Sequence, residues 1–160
     1  MFFDNDDAII DKSFSQIIET IKNQDKEALK KMFSEQSLNE AKDFGADIDH
    51  LFDFVQGTVE SWERTGGPGV SEGRNDDGSG RVWKEIRATY DIKTTERKYH
   101  VSIQEVTKHS KNPNLVGISS FCIISSEDWN EEYNYWGCFG LPESFETLGI
   151  VIEKKTDHAY

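Results

Sequence analysis

The chain predicts an α+β domain in which N-terminal helices pack against one face of a strongly curved antiparallel sheet. Three observations carry that expectation. Ile10, Phe14, Ile17, Ile18 and Ile21 recur at the spacing of one helical face. Val82, Ile86, Ala88, Tyr90 and Ile92 recur at period two, the spacing of one strand face. The change of period falls once, at Gly57, so helices come first and strands second. All 160 residues read as a single domain, with a helical part over 8–57, an antiparallel sheet over 58–126 and a less regular segment over 127–160.

Each element has its own signal. The first helix runs through "DAIIDKSFSQIIETIKNQ". A second follows in "QDKEALKKMF", where Asp25 is placed to cap and Ala28, Leu29, Met32 and Phe33 share a side. Ser37 and Glu40 have the spacing of a capping box at the start of "SLNEAKDF". Asp47 is expected to cap "IDHLFDFVQG", whose Ile48, Leu51, Phe52 and Val55 face one way and whose Gly57 is a stop. "TVESWERT" is a short strand, and "TGGPGVSEGRNDDGSG", with six of the chain's twelve glycines, reads as a mobile loop before the next one. "RVWKEIRATYDIKT" and "YHVSIQEV" form a hairpin about "KTTERK", with Lys84 the exception on the apolar face. "VGISSFCIISS" is apolar on both faces and belongs at the centre of the sheet, and "LGIVIEKK" supplies a short last strand.

Composition narrows the function classes. Thirty acidic against eighteen basic residues give a net charge of −12, spread along the chain. Nucleic acid and anionic membrane, which demand a basic footprint, are poor partners; a basic protein, a cationic ligand or a metal ion is compatible. No apolar run approaches the ~18 residues of a membrane span. The start "MFFDNDDAII" lacks the basic and apolar regions of a signal peptide. Cys122 and Cys138 have no CxxC spacing and are expected as free thiols, since a disulfide would require an oxidising compartment.

The glycine-rich stretch fails as a phosphate loop. Gly73 and Gly78 have the Walker interval, but Ser79 stands where the lysine belongs, and each GxG pair leads to Glu72 or Trp83 instead of a third glycine. It fails as an EF-hand too: with Gly78 at position 6, Gly73 falls at position 1 and Lys84 at position 12, where the strongest ligands should be. In "DIDHLFD", Asp49 and Asp53 share a face and His50 lies three residues from both Asp47 and Asp53. A hard-metal or His–Asp acid–base site is conceivable there, but Asp47 is explained as a cap and the group reads as a solvated helix face. His100, His109 and His158 have no neighbouring nucleophile and orienting group in sequence. No catalytic residue, cofactor or metal ligand is therefore assigned.

The aromatic inventory points to a surface instead. Trp83 falls on the strand face opposite Val82 and Ile86, beside Glu85, and "EDWNEEYNYW" mixes acids with aromatics. Trp83, Glu85, Asp128, Trp129, Glu131, Glu132, Tyr133 and Trp136 are the candidate partner-binding residues.

The order of a long amphipathic helix, "DKEALKKMFSE", further helices and long strands resembles the cystatin-like cone of the nuclear transport factor 2-like superfamily. Through "FSQIIETIKNQDKEALKKMFSEQSLNEAKDF" and "HLFDFVQGTVESWE" the chain is more closely similar to a bacterial domain-of-unknown-function family, number 5104, mostly small predicted lipoproteins. The resemblance implies a fold and no catalytic residues. Its usual signal peptide and lipid-attachment cysteine are not in this chain, which reads as cytoplasmic if Met1 is its natural start and as cell-envelope if it is trimmed from a lipoprotein. The leading functional expectation is a non-enzymatic binding protein whose acidic, aromatic surface engages a basic protein, as an immunity or inhibitor protein would. The alternatives are a binder of a small apolar ligand, or an isomerase- or dehydratase-like enzyme, using the cone cavity.

Overall fold

A computed structural model describes residues 5–74, 80–129 and 148–153. Four helices precede five strands: α1 (Asp6–Asn23), α2 (Lys26–Met32), α3 (Glu35–Glu40), α4 (Phe44–Phe54), β1 (Val59–Arg74), β2 (Arg81–Thr94), β3 (Lys98–His109), β4 (Gly117–Ser125) and β5 (Gly149–Glu153).

The α1 stripe is buried throughout, and it lies in one core with Ile86, Ala88, Tyr90 and Ile92 of β2 and Tyr99, Val101 and Ile103 of β3. Phe14 stacks on Tyr90 with ring centroids 3.9 Å apart, and Trp62 of β1 meets Phe14 edge-on at 5.2 Å. Fully burying side chains of this size contributes about 1.5–3 kcal/mol each, so this contact of helix and sheet dominates the packing. Leu29 of α2 and Phe44, Ile48 and Leu51 of α4 complete the same core.

Caps partly depart from expectation. Asp25 accepts the Ala28 amide as foreseen. Asp43, not Asp47, caps α4 by accepting from the Ala46 amide at 3.0 Å. Phe44 belongs to the stripe with Ile48 and Leu51, so the helix begins a turn earlier and Asp47 sits in its first turn. Likewise Ser34, not Ser37, caps α3. Ser37 is buried and donates instead to the Ser119 carbonyl at 2.9 Å, tying α3 to β4. The Ser34 amide donates to the Ile118 carbonyl beside it. Gly117 permits this approach: its φ is +124°, and a Cβ there would lie 2.8 Å from the Ser34 nitrogen.

The sheet is a single open one with strands in chain order, β1 to β5. The hairpin of β2 and β3 pairs Ala88 with Ile103 and Asp91 with His100. β4 is buried along its length except at Gly117 and lies between β3 and β5, as its two apolar faces require. Two features correct the expected fold. β5 runs parallel to β4, so the sheet is mixed and not wholly antiparallel. The sheet is also neither strongly curved nor closed, which overturns the cystatin-like cone. Consecutive strands tend to be neighbours, whereas the bend of a sheet is set by the assembled strands and is not encoded in the order of elements.

The glycine-rich stretch is a third correction. Residues 65–74 are not a loop but the second half of β1, paired with β2 from Gly66 opposite Thr89 to Gly73 opposite Trp83. The register slips on either side of Gly66, and the Gly67–Pro68 peptide is cis. Residues 75–79 lie outside the described residues.

Lys84, the apolar-face exception, is 4% exposed and its Nζ pairs with Asp6 at the start of α1. Cys122 is disulfide-bonded, contrary to the expectation of free thiols, and Cys138 lies outside the described residues. No described helix is long and apolar enough to cross a membrane.

Candidate functional site

Alternation along β2 sends Trp83, Glu85, Arg87, Thr89 and Asp91 to the face opposite the core, where each is half-buried. The hairpin register then sets His100 of β3 directly beside Asp91. His100 Nδ1 lies 2.5 Å from Asp91 Oδ1, and the Trp129 ring covers the imidazole with centroids 4.9 Å apart. The carboxylate orients the imidazole, and the imidazole supports the indole. Glu63 of β1 stands across from Asp91 and is exposed, so the row carries two acids at this end.

At the other end of β2 the environment differs. Trp83 is not a freely exposed anchor: it lies over Gly73, where an added Cβ would fall 2.2 Å from its Nε1. The missing side chain in β1 is what admits the indole. Glu85 accepts two hydrogen bonds from Arg87, from Nε at 3.0 Å and Nη2 at 2.9 Å, so part of its charge is compensated on the same strand.

The structure therefore divides the candidate surface. Trp83 and Glu85 are separated from Asp91 by six to eight residues of extended chain, or roughly 20–26 Å. Asp128 and Trp129 belong to the Asp91 end, both half-buried. Glu131, Glu132, Tyr133 and Trp136 lie outside the described residues. A standard interface takes about 800 Å² from each partner, a patch about 30 Å across, which is enough to span both ends.

His100 and Asp91 were absent from the sequence assignment because they are nine residues apart. The signal was available, since a hairpin closed at "KTTERK" brings these two positions opposite one another. Among the described residues no hydroxyl or thiol is hydrogen-bonded to His100, so the pair has an orienting group but no nucleophile in contact.

The helix group "DIDHLFD" is also resolved into parts. Asp49 pairs with Lys26 of α2 at 3.0 Å. His50 and Asp53 remain exposed at the C-terminal half of α4.

A further polar group lies between α1 and the sheet. Asp11 accepts from the Tyr90 hydroxyl at 2.7 Å and from Arg64 Nε at 3.0 Å. Burial, then the hydrogen bond to Asp11, pushes the Tyr90 phenol well above its ordinary pKa and keeps it a donor. Glu105 accepts from the Ser13 hydroxyl at 2.6 Å; burial raises its carboxyl pKa and the Ser13 bond partly opposes that rise. These pairs pin α1 to three strands at fixed positions.

The family model described as "Domain of unknown function (DUF5104)" matches residues 16–126, well over half of the chain. The chain belongs to that family. A search of curated proteins finds no match.

Proposed function

We propose that this member of the DUF5104 family is a non-catalytic binding protein that holds a basic protein partner on the outer face of its sheet, as an immunity or inhibitor protein would. The observation that carries the reading is the Trp129–His100–Asp91 cluster, an aromatic anchor propped in place on a strand face of an acidic chain. Interface energy concentrates in a few such anchors, and fixing one before the encounter lowers the ordering cost of binding. The net charge of −12 would draw a basic partner over distance, and Glu63 and Asp128 would meet its cations beside the anchor. The bonded Cys122 favours an oxidising compartment for the encounter.

The test is affinity capture from the native host with cross-linking, followed by titration of the captured partner against variants. Trp129→Ala should weaken binding by about 30-fold or more, the cost of an interface anchor. Reversing the charge of Glu131 and Glu132 should weaken capture and flatten its salt dependence. A partner whose affinity is unchanged by both variants would refute the reading.

A further inference from the structure

At the end of the sheet where β4 stops lies a second site, a cleft of about 680 Å³. Its lining comes from four places. His50 and Asp53 stand on α4, Arg97 on the β2–β3 turn, and Ser125 and Asp128 at the end of β4 and just beyond, with Ile152 of β5 supplying apolar lining.

These walls are fastened to one another. The Tyr99 hydroxyl donates to the Phe54 carbonyl and accepts from the Gln56 amide, both at 2.9 Å, which locks the end of α4 to β3. Thr94 Oγ1 donates to the Gln56 carbonyl at 2.6 Å and accepts the amides of Glu96 and Arg97, which joins the turn to the same helix end. The Ser126 amide donates to the Lys98 carbonyl at 2.9 Å, securing the third wall. A cleft held this way exists before anything enters it.

Two observations show that its chemistry is unfinished. Ser125 is 3% exposed, and its Oγ is the one buried side-chain oxygen or nitrogen among the described residues without a partner. A buried hydroxyl left unpaired costs about 1–3 kcal/mol. In addition, Arg97, Asp53 and Asp128 take part in no salt bridge among the described residues, although all three line this cleft.

We propose that the cleft binds a small zwitterion, a molecule carrying both an ammonium and a carboxylate, such as a free amino acid. Arg97 takes the carboxylate, Asp53 and Asp128 take the ammonium, and the Ser125 hydroxyl, covered in the free protein, turns about its Cα–Cβ bond into the cleft to reach the acceptor it lacks. A simple cation would have to sit against Arg97 and a simple anion against two carboxylates, so the lining disfavours both. The volume falls within the ~300–1,000 Å³ of small-molecule sites. This inference is independent of the outer-face reading, since the two surfaces share only Asp128.

The full chain is titrated with each common L-amino acid to about 1 mM, with n-butylamine, butyrate and calcium chloride as separate arms, and amide shifts are followed by NMR. At least one amino acid should give saturable shifts at Asp53, Arg97 and Asp128, at least ten-fold tighter than either half-molecule. Arg97→Gln and Asp53→Asn, both at exposed positions, should each cost about ten-fold or more. Ser125→Ala should weaken the ligand while raising the melting temperature of the free protein, a combination that a purely structural serine would not give. Absence of saturable shifts at these residues with every amino acid, equal binding of butylamine or butyrate, or saturation by calcium alone would overturn the proposal.

Discussion

Replacing Tyr99 with phenylalanine removes one oxygen and leaves the ring, which is 1% exposed and packs near Phe54 with centroids 5.5 Å apart. That oxygen serves two backbone groups, the Phe54 carbonyl and the Gln56 amide, just past the point where α4 has run out of internal partners. Each bond contributes about 1 kcal/mol net, so the substitution should cost about 2 kcal/mol. For a domain of this size that is a fall of about 4–8 °C in melting temperature. Urea unfolding followed by circular dichroism measures the free energy, and amide exchange at Gln56 locates it. Exchange there should quicken while exchange in α1 is unaffected until global unfolding. A loss below about 0.5 kcal/mol with unchanged exchange at Gln56 would mean that the phenol does not hold the turn, and would refute the argument.

Other positions make equally definite predictions. Gly73→Val places carbon where the Trp83 indole lies, so it should expel the indole and shift its emission to longer wavelength; an unchanged spectrum would contradict the packing. Glu105 has a folded pKa raised by burial, so its contribution to stability is greatest below the unfolded value and is lost as pH rises through the folded one. Glu105→Gln should therefore raise the melting temperature at neutral pH, with the gain vanishing toward about pH 4; a gain that grew on acidification would have the wrong sign. Cys122 should resist alkylation in the denatured protein until reductant is added, and reduction should cost about 2–4 kcal/mol; alkylation without reductant would deny the bond.

Much of the fold was legible wherever a periodic stripe met a complementary one. Ile10 through Ile21 and Val82 through Ile92 announced the two surfaces that pack together, and the two-faced apolar run around Phe121 announced a central strand. The glycine-rich half of β1 misled because glycine and proline oppose strand formation locally, while the pairing is dictated by the partner strand. A subtler clue was length: "TVESWERT" can cover at most eight of the fourteen residues of β2, and the rest of that edge needed a partner. The cap of α4 falls at Asp43 because its apolar stripe begins at Phe44, a turn before the polar signal at Asp47, whereas α3 is capped by Ser34 because Ser37 is buried against β4 and spends its hydroxyl on the Ser119 carbonyl. The parallel entry of β5 and the absence of a strong bend depend on contacts far apart in sequence, which no local period encodes. The same holds for the site. His100 beside Asp91 follows from hairpin register, whereas Trp129 over His100 and the convergence of His50, Arg97 and Ser125 at one cleft require the finished topology.

The most direct test of the account is a map of the bound surface in a complex with the captured partner, obtained by amide exchange and tryptophan side-chain shifts. The outer-face reading predicts protection and shifts at Asp91, His100 and Trp129, extending along β2 to Trp83, with α1 and α4 unchanged. Protection confined to the helices, with Trp129 and His100 unaffected, would contradict it.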